Sequence, residues 1–436
     1  MATLKLISLG CSKNTVDSEV VLAHVLPAQW TLLPTDSAKH PDVLLINTCG
    51  FIGDAKQESI DMILRACMLK SKRRIQKLYV MGCLAQRYGQ ELAAEIPEVD
   101  AWFGVREPEK VIAAIVGEDV AAAEGFNPER RTLTTPAHYA YLKISEGCDR
   151  QCAFCAIPLI RGKHVSRPME SLLKEAADLA RQGVRELILV AQDVTYYGLD
   201  IYGKQRIADL VKALARIEGL RWIRLQYLYP HSFPEDLLDL MRTEPKLCAY
   251  IDIPLQHIAT LVLHDMQRAT DREKTTALLH KLKAALPDAV FRTTLIVGFP
   301  TETEAAFAEL KAFVTEFRFD RLGVFTYSEE EGTPAAALPD AVPAEEKERR
   351  ADEIMRLQET ISLSLYEARV GKVFEVVIDR EEGDYYIGRT RYDSPEVDDE
   401  VLVLREEGKL QIGGFYQVRI TEAEVHDLYG QVEKAC

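Results

Sequence analysis

The 436-residue chain contains no run of about 18 uninterrupted apolar residues, so no segment is expected to cross a bilayer as a helix. Its start, MATLKLISLGCSKN, has neither a long apolar stretch nor a small-residue cleavage site, which reads against a secretory leader. A cytoplasmic location is the expectation. Basic charge is also short: 53 Lys and Arg stand against 68 Asp and Glu, a formal net charge of −15. Such a chain has no overall electrostatic pull toward nucleic acid and would be drawn more readily to a basic partner. Cysteine is sparse, nine in all and odd in number. That argues against a disulfide scaffold and leaves metal or redox chemistry as the reading to test. The remainder is ordinary: 47% hydrophobic and 28% charged residues suffice for a sizeable core and exclude wholesale disorder.

The length suggests about three domains, and the pattern divides accordingly into an α/β chain of three parts. In residues 1–118, LKLISLG, VLLINTC, KLYVMGC and AWFGV read as buried strands separated by helical stretches, hence a parallel sheet covered on both faces. Residues 117–138 lack periodicity and carry Gly, Pro and Asn, so they read as a linker. Within residues 135–370 the βα pattern recurs six times, fewer than a complete eight-fold barrel, and predicts a partial (β/α)6 barrel. Residues 343–370 form one long amphipathic pattern after a proline, the signature of a single helix. Residues 371–436 switch to short alternating strands broken by Gly and Asp, which predicts a small antiparallel β-barrel of about five strands. This last part holds 16 acids against 8 bases, with Asp393, Glu396, Asp398, Asp399 and Glu400 in one loop. Such a loop reads either as an attractor for a basic partner or as a solvated acidic face.

The cysteines carry the chemistry. Cys148, Cys152 and Cys155 form a C-x3-C-x2-C run directly after the first barrel strand. Three thiolates this close can ligate one iron–sulfur cluster and leave one iron of a four-iron cluster open, as a catalytic centre requires. Structural zinc would want a fourth ligand, and the candidates His164 and Cys248 give no familiar zinc spacing. Cys11, Cys49 and Cys83 are far apart, yet each follows or ends an apolar strand beside a glycine: ISLGC, LINTCG, VMGC. In an open parallel sheet the carboxyl ends of the strands share one edge, so the three thiols converge there or are three unrelated buried cysteines. Cys67 and Cys248 read as core and Cys436 as an exposed bystander.

Other candidates are softer. Phe154 packs either a cofactor's adenine or the core. Gln192 and Asp193 end the second barrel strand, and Gly298 with Glu302 marks the turn after the fifth, where barrel enzymes place binding groups. His257, ending the fourth, reads as structural, and Lys13 and Asp17 follow Cys11 closely enough to act near a centre there.

At these residues the chain resembles the methylthiotransferase branch of the radical S-adenosylmethionine (SAM) enzymes. C-x3-C-x2-C with an aromatic before the third cysteine is that superfamily's signature, and GCSKN, NTCGFI and GCLAQRY match the cysteine motifs of the branch's auxiliary-cluster domain. GCSKNTVDSE, NTCGFIGDAKQESID and GRTRYDSPEVDDEV resemble the members that modify a ribosomal protein more than those that modify tRNA. Asp399 departs from the glycine common there, at a turn. The acidic barrel sits where the branch has its TRAM domain, so the resemblance spans essentially the whole chain. It implies two [4Fe–4S] clusters, one on Cys148, Cys152 and Cys155 that binds and cleaves SAM, and one on Cys11, Cys49 and Cys83. It implies Phe154, Gln192, Gly298 and Glu302 as SAM contacts. The implied reaction replaces a hydrogen on the β-carbon of an aspartate by a methylthio group, through a 5′-deoxyadenosyl radical. The implied partners are the basic twelfth protein of the small ribosomal subunit, free or on the ribosome, and an electron donor such as a flavodoxin-like protein. Neither a membrane nor tRNA is an expected partner.

Overall fold

The computed structural model describes residues 2–28, 30–339 and 341–436. They form two compact units, one made of Met1–Thr134, Tyr141–Glu175 and Ser328–Ala336, the other of Thr135–Ala140, Ala176–Tyr327 and Ala337–Cys436. Among the described residues no helix is long and apolar enough to cross a membrane.

The first unit is built on a parallel sheet of β1 (Ala2–Ser8), β2 (Trp30–Leu32), β3 (Val43–Thr48), β4 (Lys77–Gly82) and β5 (Ala101–Phe103), in the order β2-β1-β3-β4-β5. The four strands legible as apolar runs are present, and β2 is a three-residue edge strand too short to leave a pattern. Side chains of a strand alternate between faces. Val43 and Leu45 therefore pack with α1 (Ser12–Val25), beside residues Val111, Ile112 and Ile115. Leu44 and Ile46 pack on the other face with α2 (Gly53–Ser71) and α3 (Cys83–Glu95). The chain thus leaves β1 and β3 toward opposite faces. In an open α/β sheet of this strand order, the crevice at their carboxyl ends is where ligands bind.

Residues 117–138, expected as a linker, are more tightly held than that. They include a helix, Glu118–Glu124. Phe126 stacks on His24, and the amide of Asn127 donates to His24 Nε2 at 3.0 Å. Arg131 is buried between Glu19 and Glu175.

In the second unit, Trp222–Leu225 pairs in parallel with Glu186–Val190, and Val290–Val297 pairs in parallel with both Tyr250–Asp252 and Arg321–Thr326. The first expected strand, Tyr139–Lys143, is present as well and has only Tyr139 and Ala140 in this unit, so all six expected strands form. The long helix spans Ala344–Glu367 with Pro343 at its N-cap. The C-terminal strands Val373–Glu382, Tyr385–Thr390, Glu400–Leu404, Phe415–Ala423 and Asp427–Ala435 close into a five-stranded barrel. Four of its pairings are antiparallel, and the closing pair, third strand with fifth, is parallel.

The acidic loop corrects an expectation. It is less free than either reading supposes, because Asp393, Asp398 and Asp399 are engaged by groups inside the second unit. Asp393 is 2% exposed and pairs with Arg321, and its other oxygen accepts from Thr390 Oγ1 at 2.5 Å. Asp398 accepts from Tyr250 at 2.6 Å and faces Arg292 at 3.3 Å. Asp399 accepts from Tyr366 and Glu396 from Tyr139. Glu396 is itself exposed, Asp399 also faces the exposed His426 at 3.8 Å, and Glu400 pairs with the exposed Arg380. Burial pushes the Asp393 carboxyl up, but Arg321, Arg369 and the Thr390 hydroxyl outweigh it and hold it below the ordinary carboxylate range. A carboxyl lowered in this way stabilises the fold at neutral pH and loses that contribution as pH falls through its lowered value. Asp393→Asn is accordingly expected to cost about 2 kcal/mol at pH 7, less than a full buried pair because Asp399 remains near Arg321. The gap to wild type should narrow with acidification. Urea unfolding followed by Trp222 emission, with Trp30 and Trp102 replaced by Phe, measures it, since Trp222 packs edge-on to Phe415 of the barrel at 4.9 Å. A gap independent of pH would refute the pairing as its source.

Candidate functional site: two sets of three cysteines

Both cysteine sets lie in the first unit. Cys11 caps α1, Cys49 follows β3, and Cys83 opens α3 directly after β4. Their loops touch. A Cβ added to Gly10 would stand 2.9 Å from Cys49 Cβ and 3.2 Å from its sulfur. One added to Gly50 would stand 2.7 Å from the Leu84 amide nitrogen and 2.9 Å from the Cys83 carbonyl carbon. Gly82, at φ +103°, abuts Asn47 and Thr48. Glycine is what allows this approach. Asn14 ties the loops from within, its Nδ2 donating to Leu9 O at 2.9 Å and Thr48 O at 3.0 Å.

The electrostatics differ among the three thiols. Burial pushes Cys11 up, but Lys13, Arg161 and the amides of Asn14 and Lys13 outweigh it and leave the thiol below its ordinary value. A helix N-terminus favours the thiolate in the same sense. Burial pushes Cys49 up, and Cys83 up to about 11. Charge on Cys11 raises both of the others, which is the behaviour of thiols sharing one pocket.

The second set sits in a loop closed by a small hairpin, Ser145–Glu146 against Val165–Ser166. The Cys148 amide donates to Gly162 O at 3.0 Å, the Cys155 amide to Cys152 O at 3.0 Å, and the Arg150 amide to Cys148 Sγ at 3.4 Å. Gly147, at φ +77°, lies against the returning chain: a Cβ there would be 2.6 Å from Gly162 O and closer still to Lys163 O. Gly147→Ala should therefore displace the cysteine loop and lose about half of the protein's iron, read by iron analysis after anaerobic reconstitution. Full iron loading would show that the loop tolerates the shift.

Each set offers three thiols, the donor chemistry of an iron–sulfur cluster. Among the described residues no three His, Cys, Asp or Glu side chains close to the spacing of a single metal ion. Of the candidate fourth zinc ligands, His164 has its Nε2 at 2.9 Å from Ser166 Oγ, and Cys248 is buried in an apolar cluster with Trp222 and Tyr250. Cys67 is likewise core, and Cys436 is exposed.

The remaining sequence candidates are placed as follows. Phe154, between Cys152 and Cys155, and Gln192, beyond strand Glu186–Val190, are half-buried. Gly298, at φ +72°, ends strand Val290–Val297, and its amide donates to Glu302. Glu302 is 3% exposed and also engages Arg350 at 2.9 Å and His257 at 3.1 Å. The Ala259 amide donates to His257 Nδ1, so the proton sits on Nε2 and faces Glu302. His257 is fully buried with both ring nitrogens hydrogen-bonded, and Glu302 accepts the Gly298 amide. Sequence reasoning passed over Arg161, at the end of helix Ile157–Arg161, which is 1% exposed and reaches Cys83 Sγ at 3.4 Å. The available signal was one cation closing the apolar run IPLI before a glycine.

Comparison with known proteins matches this arrangement. The family described as "Uncharacterized protein family UPF0004" matches residues 3–104, the Radical SAM superfamily residues 142–314, and the TRAM domain residues 370–432. A protein of Flavobacterium johnsoniae named ribosomal protein uS12 methylthiotransferase RimO is 50% identical over 429 residues, 98% of this chain and 97% of its own. One of the same name from Phocaeicola vulgatus is 49% identical over 431 residues, 99% of each chain. Among solved structures, the radical S-adenosylmethionine methyltransferase TsrM of Kitasatospora setae, with cobalamin and a [4Fe–4S] cluster bound, superposes with a TM-score of 0.52. At 14% identity over 91% of this chain and 82% of that one, the likeness is one of fold. Fold, motifs and matches together define a radical SAM enzyme with an N-terminal cysteine-bearing sheet domain and a C-terminal TRAM barrel. Within that class, the chain belongs to the RimO family of ribosomal protein uS12 methylthiotransferases.

Proposed function

We propose that this chain methylthiolates the β-carbon of an aspartate in ribosomal protein uS12, acting in the cytoplasm. The observation that carries the reading is the identity of about half of all residues, over nearly the whole chain, to proteins named for that activity. In this reading Cys148, Cys152 and Cys155 hold one [4Fe–4S] cluster, and Cys11, Cys49 and Cys83 hold the other. When bound, these groups supply the electron that cleaves SAM and a site for the sulfur to be transferred.

The chain's own residues supply position and environment. Lys13 and the N-terminal amides of α1 favour the Cys11 thiolate, and burial keeps water from Cys83 and Cys152. Family resemblance gives Phe154, Gln192, Gly298 and Glu302 as the SAM contacts, and within the second unit Glu302 holds the Gly298 turn by accepting its amide. Stray hydrogen donors would quench a carbon radical, so burial of these groups serves the reaction. The electron donor is of the flavodoxin-like kind.

Mass spectrometry of uS12 and of tRNA from cells lacking the gene tests the proposal. A uS12 lighter by one methylthio group, with tRNA unchanged, is expected. Loss of methylthio from tRNA with uS12 intact would transfer the chain to the tRNA-modifying branch.

A further inference from the structure

Arg161 follows Cys155 by six residues, yet its side chain belongs to the other cysteine set. Its guanidinium is buried, so each N–H needs a partner inside the protein. Nη1 donates to Glu146 at 2.8 Å and Asp17 at 3.3 Å. Nη2 donates to Asn14 Oδ1 at 2.6 Å and lies 3.4 Å from Cys83 Sγ. Asn14 in turn holds Leu9 O, before the Cys11 loop, and Thr48 O, before Cys49. One side chain thus reaches one cysteine directly and the loops of the other two through a single amide. Its own backbone is pinned, since Arg106 donates to Arg161 O and fills the space beside Gly162. Lys143 pairs with the same two carboxylates, so two cations and two anions make a quartet with no net charge, Arg161 buried in it and the other three half-buried.

We propose that Arg161 is a positioning residue of the auxiliary centre, fixing Cys83 and setting the reduction potential of the cluster held by Cys11, Cys49 and Cys83. The inference rests on the reading of those cysteines given above. Reduction adds negative charge to a cluster. A buried cation that donates N–H to a ligand sulfur stabilises the reduced form and raises the potential. Removing that cation unbalances the quartet toward negative charge, and removing one of its anions does the reverse.

The test uses full-length protein reconstituted anaerobically with iron and sulfide, with both cluster potentials read by EPR-monitored redox titration. Arg161→Gln is expected to lower the auxiliary potential and leave that of the Cys148, Cys152 and Cys155 cluster in place. Arg161→Lys, which keeps the charge and loses the fork, is expected to lower it less. Asp17→Asn is expected to raise it. An iron-replete Arg161→Gln protein with both potentials at wild-type values overturns the proposal. Should Arg161→Gln fail to fold or to load its auxiliary iron, Asp17→Asn decides: an unmoved auxiliary potential overturns it, and an upward shift supports it. Wild-type protein that loads only about four irons would instead overturn the cysteine assignment beneath it, a result separable from the first by iron analysis alone.

Discussion

Cys148→Ala protein, reconstituted anaerobically, is expected to hold about four irons per chain where the wild type holds about eight, and to cleave no SAM. The asymmetry follows from how the two sets are built. The loops of Cys11, Cys49 and Cys83 are held by the close approaches of Gly10, Gly50 and Gly82 and by Asn14, none of which involves Cys148. The Cys148 loop is itself closed by backbone bonds and the Ser145–Ser166 hairpin, so losing one sulfur should remove a ligand without unfolding the loop. Cys83→Ala should show the mirror image, about four irons with SAM cleavage retained and no methylthiolated product. Iron and sulfide analysis, with 5′-deoxyadenosine assayed by chromatography, reads both. A wild type that saturates near four irons would refute the N-terminal set, and SAM cleavage by Cys148→Ala would refute the other.

The largest loss of stability is expected from Arg131→Met. The Arg131 side chain is 1% exposed and its partners Glu19 and Glu175 are each 1% exposed. Nε donates to Glu19 at 3.0 Å, and Nη1 to Glu175 at 2.7 Å and to Tyr141 O at 3.1 Å. Glu19 also accepts the Thr134 amide at 2.7 Å. Removing one partner of a buried pair leaves an uncompensated charge and costs about 3–5 kcal/mol, far more than the pair itself is worth. Here one carboxylate of the two, Glu175, keeps a second cation in Arg167 at 2.7 Å, while Glu19 is left without one among the described residues. Arg131→Met with Glu19→Gln should therefore recover part of the loss, a positive coupling in a double-mutant cycle. Urea unfolding of the cluster-free protein, followed by circular dichroism, measures it. Lys110→Ala, which removes the exposed pair with Glu107, is the control and should change stability by less than about 1 kcal/mol. A similar small change for Arg131→Met would mean that the pocket admits water.

Local pattern accounts for what was legible in the sequence. The strands β3 and β4 read as apolar runs because both faces are buried, β1 sets buried Leu4 and Leu6 on either side of Lys5, and each strand leads into a cysteine beside a glycine, Gly10–Cys11, Cys49–Gly50 and Gly82–Cys83. The six barrel strands and the Ala344–Glu367 helix likewise announce themselves by period. What escaped notice is long-range charge. Arg292 and Arg321, which consume the loop acids Asp398 and Asp393, lie 106 and 72 residues from them and leave no periodic trace. Read alone, the loop is a run of acids and resembles a surface. Arg131 and Arg161 were invisible for the same reason, since both lie in stretches without amphipathic period. The edge strand β2 and the helix within 117–138 fell below the length at which a pattern can be counted. The parallel closure of the barrel is a property of strand order, and alternation within each strand does not encode it.

That closure also sets an order of events in time. The fifth barrel strand, Asp427–Ala435, is inserted between the third and the fourth and pairs with both. On a chain emerging from the ribosome, the hairpin of the first two strands and its extension by the third can form as they appear. The third strand keeps an unpaired edge until residue 435 has left the exit tunnel. An open edge of alternating apolar residues is a site for wrong pairing, and Glu400–Leu404 is short, which limits the hazard. At about 5–20 residues per second, the interval from residue 404 to residue 435 is a few seconds. Nascent chains stalled before Asp427 should therefore depend on chaperones more than chains released with the fifth strand in place.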